Sequence, residues 1–370
     1  MPYRLSTPPA RVLMTLDAVG GVWRYAMTLA EGLAAHGTSV LFVGLGPHPT
    51  AAQRAEAERL GELVWLDLPL DWLAGNATEL EQIPAALERL AGRRDIDLLH
   101  LNLPSQAAGL GSERPTVVVS HSCVVSWFRA VRQTDVPDDW HWQYRLNRDG
   151  LLRADAVLVP SRSHGEALSA CYGPLGRTIV AYNGARAVAA SSSKRAVVLA
   201  AARWWDDAKN GATLDVAAAS TDWPVLMAGA TMGPNGAALA LANAHALGEL
   251  SNARLRALLA QAAIVASPSV YEPFGLVALE AAQAGAALLL ADIPTYRELW
   301  SDTAVFVPAR DAAAWAEAIN DLAADRPRRQ ALAAEAGRRA QLYTPEAQLA
   351  GVLEAYAQAM DRSAGGKMVA

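Results

Sequence analysis

The chain has 370 residues, which is long enough for two domains that each bury a core of their own. Its hydrophobic content of 52% and its mean hydropathy of +0.12 indicate a globular protein and exclude an intrinsically disordered one. A net charge of −5 gives no overall electrostatic reason to bind nucleic acid, so we expect no nucleic-acid partner.

The cysteine count and the lengths of the apolar runs indicate the cellular compartment of the protein. Only Cys123 and Cys171 are present, without metal-ligand spacing, which favours a reducing cytoplasm. Residues 1–10 lack the apolar run of an ordinary signal peptide, and no run of 18 apolar residues occurs anywhere. We therefore predict a cytoplasmic protein without a transmembrane segment, and we leave open a peripheral contact with the inner face of a membrane.

Strand-like apolar runs alternate with amphipathic helical stretches in the first half, which is typical of a parallel α/β fold. Helices are predicted between these runs, most clearly over residues 22–36 and 163–171. The predicted strands of this half are residues 11–16, 39–44, 63–66, 97–102, 116–120, 156–160 and 178–182.

A small, polar, serine-rich stretch predicts a linker over residues 185–195, and the strand–helix alternation restarts after it. The restart predicts a second doubly wound domain over 196–345, behind a first domain over 1–184. A last helix is predicted over 346–362 and a loose tail over 363–370. The other elements predicted in this half are strands at 196–201, 225–229, 262–266 and 286–291 and a helix at 211–220.

Two adjacent glycines, Gly20 and Gly21, follow the first predicted strand and open the first predicted helix. Glycine lets a ligand approach the backbone closely, and the amides at a helix start favour an anion. The spacing is not the Gly-x-Gly-x-x-Gly of dinucleotide-binding proteins. The residues alone leave open a ligand-binding loop or a simple tight turn.

Two histidines end predicted strands. His121 follows an apolar strand, and ligands of an open parallel sheet bind beyond the carboxyl ends of its strands, so its imidazole could contact a sugar hydroxyl. An exposed surface histidine is the alternative. His100 lies between leucines and is predicted to be structural, whereas the segment Trp140-His141-Trp142 is predicted to serve packing or substrate recognition.

Two cations follow the first strand of the second domain, Arg203 and Lys209, in the segment Arg-Trp-Trp-Asp-Asp-Ala-Lys-Asn-Gly. Cleavage of a sugar from a nucleoside diphosphate leaves negative charge on the phosphate, and fixed cations at that point lower the barrier. Arginine offers a bidentate fork and lysine a mobile point charge. Each alone would pass for a surface charge, but the pair predicts a phosphate site.

The segment Tyr-Glu-Pro-Phe-Gly-Leu-Val-Ala-Leu-Glu sets Glu272 and Glu280 eight residues apart around a strand-to-helix turn. The helix is predicted to begin at Phe274 or Gly275, and its first amides carry about half a positive charge that favours a phosphate. Carboxylates repel phosphate, so we expect both to accept hydrogen bonds from neutral hydroxyls, Glu272 from a sugar and Glu280 from a ribose. A solvated acidic turn is the alternative.

This Glu-x7-Glu element, with Pro-Phe-Gly-Leu after its first glutamate, resembles the signature of the family 4 retaining glycosyltransferases. The resemblance implies a GT-B fold of two doubly wound, Rossmann-like α/β domains whose parallel sheets face a central cleft, with the terminal helix packing back on the first domain. It also implies transfer of a hexosyl group from a nucleoside diphosphate sugar, a UDP- or GDP-sugar, to a hydroxyl acceptor. That transfer would retain the anomeric configuration and use no metal and no other cofactor.

The resemblance carries roles for individual residues. Arg203 and Lys209 would stabilise the phosphate, His121 would support the transferring sugar, and Asp17 and Trp23 beside the glycine loop would meet the acceptor. The residues implied for catalysis are His121, Arg203, Lys209 and Glu272. Those implied for donor binding are Gly20, Gly21, Phe274, Gly275, Leu276 and Glu280. The acceptor, whether glycan, lipid-linked or small molecule, and the oligomeric state stay open.

Three rival interpretations follow from other features. Asp95-Ile96-Asp97 has the Asp-x-Asp pattern of metal-dependent glycosyltransferases, but it precedes a strand and is predicted to be a helix-to-strand turn. The same fold could instead serve a sugar-nucleotide epimerase or a phosphorylase. A non-catalytic protein that binds nucleotide sugars as a partner of another enzyme is the third alternative.

Overall fold

The structure is a computed structural model that describes residues 8–186, 191, 193–233 and 236–366, with side chains described as far as residue 362. These residues form two compact units, each with its own sheet. Unit 1 consists of the described residues within Met1–Arg129, Thr134–Gly184 and Pro345–Ala370. Unit 2 consists of the described residues within Ala130–Gln133 and Ala185–Thr344.

Unit 1 contains a parallel seven-stranded sheet in the order β3-β2-β1-β4-β5-β6-β7. The order runs outward from β1 in both directions, so a topological switch point lies between β1 and β4. The strands are β1 Arg11–Leu16, β2 Ser39–Gly44, β3 Glu62–Trp65, β4 Leu98–Leu101, β5 Thr116–Val119, β6 Ala156–Val159 and β7 Thr178–Val180. The helices are α1 Gly21–Ala35, α2 Ala51–Glu58, α3 Gln82–Arg93, α4 Val124–Trp127, α5 His141–Arg153, α6 Arg162–Tyr172 and α13 Pro345–Gly366.

The core of unit 1 lies on both faces of this sheet. Along β1, Leu13 faces one apolar cluster, whereas Val12 and Met14 face the other, because successive side chains of a strand point to opposite faces. All three side chains are fully buried, as expected for a parallel sheet that is covered by helices on both sides.

The last helix, α13, belongs to the core of unit 1. Its residues Leu349, Val352 and Tyr356 are buried in the cluster that also contains α1. The backbone N–H of Gly184 donates to Oε1 of Gln348 at 2.7 Å. The helix continues past the predicted boundary at residue 362 as far as Gly366, so the predicted tail over 363–370 begins inside it, and residues 367–370 lie outside the described residues.

Unit 2 contains a parallel six-stranded sheet in the order β10-β9-β8-β11-β12-β13, with its switch point between β8 and β11. Its strands are β8 Arg195–Ala201, β9 Val225–Ala228, β10 His245–Gly248, β11 Ala262–Ser267, β12 Ala287–Ala291 and β13 Ala304–Val307. Its helices are α7 Gly211–Ala218, α8 Asn252–Gln261, α9 Leu276–Gln283, α10 Pro294–Trp300, α11 Ala312–Ala324 and α12 Arg326–Ala340.

The predicted fold class is confirmed, since the chain forms two Rossmann-like α/β units with parallel sheets. The strands predicted at 11–16 and 39–44 coincide with β1 and β2, and the other predicted strands shift by one or two residues. Residues 187–190 and 192 of the predicted linker lie outside the described residues. Over the described part of the chain, no helix is long and apolar enough to cross a membrane.

Candidate functional site

The two predicted site segments of unit 2 meet at the switch point of its sheet. Lys209 follows β8 and Glu272 follows β11, and these two strands are neighbours in register, with Leu199 opposite Val265. Ligands of doubly wound sheets bind beyond the carboxyl ends of the strands at such a point. The topology therefore places both segments where a ligand site is expected.

Lys209 and Glu272 form an ion pair, with Nζ of the lysine 2.7 Å from Oε2 of the glutamate. Both side chains are mostly buried, at 16% and 18% exposure, so the pair is well shielded from solvent. A shielded ammonium needs an anionic partner, because burial without one is costly. The glutamate fills that role in this structure, and an incoming phosphate oxygen would be a second anionic partner.

Backbone contacts fix the loop that carries Lys209. Asn210 has a left-handed φ of 52°, and its side-chain amide donates to the carbonyls of Pro268 and Ala309 at 3.0 and 2.6 Å. The N–H of Val270 donates to the carbonyl of Ala208 at 2.9 Å. These bonds tie the loop after β8 to the loop after β11, so the ion pair rests on a rigid base.

The turn after Glu272 depends on Gly275, which has a left-handed φ of 89° and stands immediately before α9. A Cβ atom at this position would lie 2.8 Å from Cε1 of Tyr296 and 3.4 Å from Cγ of Glu272. Both the backbone angle and the space therefore require glycine. Helix α9 begins at Leu276, slightly later than the predicted start at Phe274 or Gly275.

Tyr296 packs against this turn next to Gly275. It is fully buried, and its hydroxyl lies 2.6 Å from Oγ of Ser267 at the end of β11. Burial, together with the nearby charge of Glu272, raises the pKa of this phenol, so the hydroxyl stays protonated. The ring, which projects from α10, thus packs against the turn at Gly275.

Besides Gly275, three predicted donor-binding residues lie on or next to α9. Phe274 is buried and packs edge-to-face on Tyr343 with ring centroids 5.8 Å apart, so only its backbone can reach a ligand. Leu276 is the first residue of the helix, where amides lack intrahelical acceptors and favour an anion. Glu280 follows it by about 6 Å along the helix axis and is half-buried.

Arg203 is turned toward its own loop. Its guanidinium lies 3.6 Å from Oδ2 of Asp206 and 5.3 Å from the centre of the Trp205 ring. The side chain is 42% exposed, so it can move more freely than Lys209. Trp204 is buried and donates its indole N–H to the carbonyl of Ala228 at 2.8 Å, which anchors the loop to β9.

The glycine loop of unit 1 follows β1. Gly20 has a left-handed φ of 91° and caps α1, and Gly21 is the first residue of that helix. Asp17 is buried and accepts a hydrogen bond from the N–H of Val19 at 2.8 Å, so it shapes the loop itself. Trp23 is also buried and donates its indole N–H to Glu56 at 2.9 Å. Both side chains thus support the local structure, and their contact with an acceptor stays a prediction.

His121 lies at the carboxyl end of β5, with Nε2 2.7 Å from Oδ1 of Asn102. An amide oxygen only accepts, and the other amide atom of Asn102 donates to the carbonyl of Thr15, so Nε2 of His121 must carry the proton. Burial, reinforced by neighbouring His100 and His164, lowers the pKa of His121 to about 3. The imidazole is thus neutral, with Nδ1 as an acceptor that suits a hydroxyl group.

The two buried histidines near His121, His100 and His164, are structural, as predicted for His100. His100 is fully buried between two tyrosines, with Nδ1 3.0 Å from the hydroxyl of Tyr356 and Nε2 3.4 Å from that of Tyr25. His164 is buried with Nε2 3.0 Å from Oγ of Ser120. Burial lowers the pKa of His100 to about 3 and that of His164 to about 4.

These buried neutral histidines should make unit 1 sensitive to acid. The unfolded chain protonates each near pH 6.5, whereas the folded unit holds His100 and His164 neutral down to about pH 3 and 4. Between those values the unfolded state binds more protons, so the free energy of unfolding falls as the pH falls, by about 1.4 kcal/mol per pH unit for each histidine. Hydrogen exchange of β4, β5 and β6 between pH 7 and pH 5 measures this loss.

The variant His164→Gln isolates one of these protons. Glutamine can keep a hydrogen bond to Ser120 but does not titrate, so the pH slope of unfolding should decrease by about one proton equivalent. An unchanged slope in His164→Gln would show that the acid sensitivity arises elsewhere.

The Asp-x-Asp segment forms the turn that the sequence predicts. Asp95 has a left-handed φ of 48°, and Oδ2 of Asp97 accepts from the N–H of Arg11 at 2.8 Å. The turn joins α3 to the amino end of β4, opposite the edge that carries His121. Both carboxylates thus lie at the end of the sheet where ligands of this fold do not bind.

Sequence reasoning missed three residues that support the site: Asn102, Asn210 and Tyr296. The Asn210-Gly211 pair is a turn signal that could have predicted the left-handed asparagine. Asn102 and Tyr296 act on residues far along the chain, on His121 and on Gly275, and a single sequence carries no local sign of such contacts.

Two protein-family models match the chain. Residues 19–187 match the model described as Glycosyltransferase Family 4, and residues 236–339 match the model described as Glycosyl transferases group 1. The first match contains Gly20, Gly21 and His121, and the second contains Glu272 and Glu280. Together the two models span most of the chain.

Solved structures share the fold over nearly the whole length. Sucrose-phosphate synthase from Thermosynechococcus elongatus superposes with a TM-score of 0.76 at 19% identity, covering 94% of this chain and 98% of that one. The Anabaena protein HepE, solved in complex with UDP-glucose, superposes with a TM-score of 0.74 at 19% identity, covering 93% and 98%. At these identities the likeness concerns the fold alone.

A curated relative is closer in sequence but over a shorter segment. The D-inositol 3-phosphate glycosyltransferase of Xylanimonas cellulosilytica is 38% identical over 101 residues, which are 27% of this chain and only 24% of that protein. The family models, the shared fold and the Glu-x7-Glu turn at the switch point of unit 2 agree with one another. The chain belongs to family 4 of the glycosyltransferases.

Proposed function

We propose that this protein is a retaining, metal-independent hexosyltransferase that moves a sugar from a nucleoside diphosphate to a hydroxyl acceptor. The observation that carries the proposal is the shielded ion pair of Lys209 and Glu272 beside the first turn of α9. A cation and a helix start favour a diphosphate, and a carboxylate next to them accepts a sugar hydroxyl.

Unit 2 would bind the donor. The helix start at Leu276 and the ammonium of Lys209 would take the diphosphate, and Arg203 would swing from Asp206 to join them. As the glycosidic bond breaks, negative charge grows on the leaving phosphate, and fixed positive groups stabilise that charge. Glu272 would orient the sugar through its hydroxyls, and Glu280 would accept from the ribose.

Unit 1 would supply a neutral acceptor atom for a hydroxyl group. Nδ1 of His121 is an acceptor because Nε2 donates to Asn102, and an acceptor there can bind a sugar hydroxyl without charge repulsion. The glycine loop at Gly20 and Gly21 offers helix amides at the start of α1. The leaving phosphate would take the proton of the attacking hydroxyl on the same face, which retains the configuration.

Similarity to a protein solved with a UDP-sugar favours a UDP-sugar donor. A GDP-sugar stays the second choice, because we expect the base to be bound by backbone groups, and these do not reveal in the sequence which base is bound. We place the reaction in the cytoplasm, as expected for a protein whose two cysteines, Cys123 and Cys171, are not joined by a disulfide bond.

Incubation with labelled UDP-glucose, GDP-mannose and ADP-glucose in the presence of EDTA tests this function. Slow release of free sugar from one donor is expected, and that release should be lost in Glu272→Ala. NMR of a transfer product should show the anomeric configuration of the donor. Strict dependence on an added divalent ion would contradict the metal-independent mechanism, and nucleotide binding without any turnover would favour a non-catalytic partner protein.

A further inference from the structure

Three aromatic side chains form a cluster in unit 1. Trp127 packs edge-to-face on Phe128 with ring centroids 5.2 Å apart, and Phe128 packs in the same way on Trp140 at 5.7 Å. Phe128 also packs against the apolar core of the unit. Trp140 is therefore held in place from the core through Phe128.

Trp140 is the most open aromatic residue of the described chain. Its exposure is 37%, and no other Trp, Tyr or Phe in the described ranges is classed as exposed. Trp142, two residues on, is instead half-buried and packs against the core. A tryptophan that is held by its neighbours yet open to solvent has a surface available for a ligand.

The cluster begins a few residues after His121 in the chain. Helix α4 begins directly after Cys123. Cys123 in turn follows His121 by two residues, just beyond the carboxyl end of β5. Trp127 ends α4, only about 6 Å of helix rise from Cys123. The aromatic cluster and the neutral imidazole therefore share one edge of the sheet of unit 1.

The short segment that leads into Trp140 carries carboxylates. Asp138 and Asp139 directly precede Trp140 in a short 3-10 helix, and both are exposed. The side chain of Asp138 is fully exposed, and its ion-pair contact with His141 is long, at 3.9 Å. An aromatic face attracts the partly positive C–H groups of a sugar ring, and carboxylates accept hydrogen bonds from its hydroxyls.

The same charges disfavour a membrane as the ligand of this surface. Membrane-binding patches combine aromatic residues with lysine and arginine, which attract anionic headgroups. Here Asp135, Asp138 and Asp139 are exposed in the segment that leads to Trp140, and Asp135 already pairs with Arg129 at 3.1 Å. A hydroxyl-rich, uncharged ligand fits this surface better than an anionic one.

We propose that Trp140, held by Phe128 and directly preceded in the chain by Asp138 and Asp139, stacks on a sugar ring of the acceptor. The acceptor is then a glycan or a glycoside and not a sugar-free alcohol. This inference rests on the proposed function and specifies the class of its second substrate.

Saturation-transfer NMR with maltose, cellobiose and mannobioses at millimolar concentration, in the presence of UDP, tests the stacking directly. Saturation of protein aromatic protons should pass to ring protons of at least one disaccharide. The signal should fall at least fivefold in Trp140→Ala. In Trp140→Phe, which keeps an aromatic face, it should stay above half of the wild-type signal. The control Leu152→Ala, which removes an exposed apolar side chain from α5, should leave the signal unchanged.

Equal signals in Trp140→Ala and in the wild type, or no signal from any of these sugars, would overturn the inference. Sedimentation with phosphatidylglycerol vesicles that is lost in Trp140→Ala, with sugar signals unaffected, would also overturn it and assign the ring to a membrane. This experiment needs no turnover, so failure of the proposed transferase activity would show separately, as wild-type protein that cleaves none of the three nucleotide sugars.

Discussion

Replacement of Lys209 by alanine should lower the rate of donor cleavage by about 10²–10³-fold, the usual effect of removing one preorganised group that stabilises developing charge. The ammonium is shielded from solvent beside Glu272 and near the first turn of α9, where a leaving phosphate is expected. Because that charge grows as the bond breaks, the rate should suffer more than nucleotide binding.

The measurement is release of labelled sugar from the preferred donor at saturating concentration. Arg254→Ala removes an exposed charge from α8 of the same unit and should leave the rate unchanged. A rate for Lys209→Ala within threefold of the wild type would contradict the assigned role of this lysine.

The double variant Lys209→Ala with Glu272→Ala measures how much of the stability loss comes from the unpaired carboxylate. Lys209→Ala alone leaves a shielded carboxylate without its cation, which costs stability, and removal of the carboxylate should restore part of the melting temperature. The rate should not recover with it. Recovery of the rate in the double variant would contradict the roles assigned to both residues.

Replacement of Gly275 by alanine should destabilise unit 2 by roughly 2–4 kcal/mol and displace the turn that carries Glu272. The left-handed φ of 89° strains any side chain, and the new Cβ atom would lie 2.8 Å from Cε1 of Tyr296. Tyr296 is fully buried and bonded to Ser267, so it cannot move aside cheaply.

Urea unfolding, monitored by hydrogen exchange of β11 and α9, measures this loss of stability. Gly337→Ala is the matched control, because this glycine lies inside α12 and its new Cβ atom would make only an ordinary contact, at 3.5 Å, with the carbonyl of Ala282. That change should stabilise unit 2 by about 0.5–1 kcal/mol. Equal stability of both variants would show that the turn at Gly275 is not constrained.

Much of the fold was predictable because buried parallel strands read as short apolar runs. The strands at 11–16 and 39–44 have this pattern and coincide with β1 and β2. The edge strand β10, His245–Gly248, escaped prediction because it is largely exposed and lacks an apolar run. The order of the strands in each sheet also had to come from the structure, since it depends on pairing between distant segments.

Site residues were predictable where the residue types of one short segment indicate the chemistry. Glu272, Gly275 and Lys209 follow from residue types and their position after strands, and the structure brings the lysine and the glutamate into contact. The supports of the site were not predictable, since Tyr296 meets Gly275, and Asn102 meets His121, only through the folded chain. The assigned roles of these residues toward a sugar nucleotide stay predictions.

Calorimetric titration with UDP and GDP in the presence of EDTA tests the central claim most directly, namely that Lys209 and the turn at Gly275 hold a nucleoside diphosphate. One nucleotide should bind the wild type, bind about tenfold more weakly to Lys209→Ala and bind Arg254→Ala as tightly as the wild type. Equal affinity for wild type and Lys209→Ala, or no binding of either nucleotide, would contradict the account.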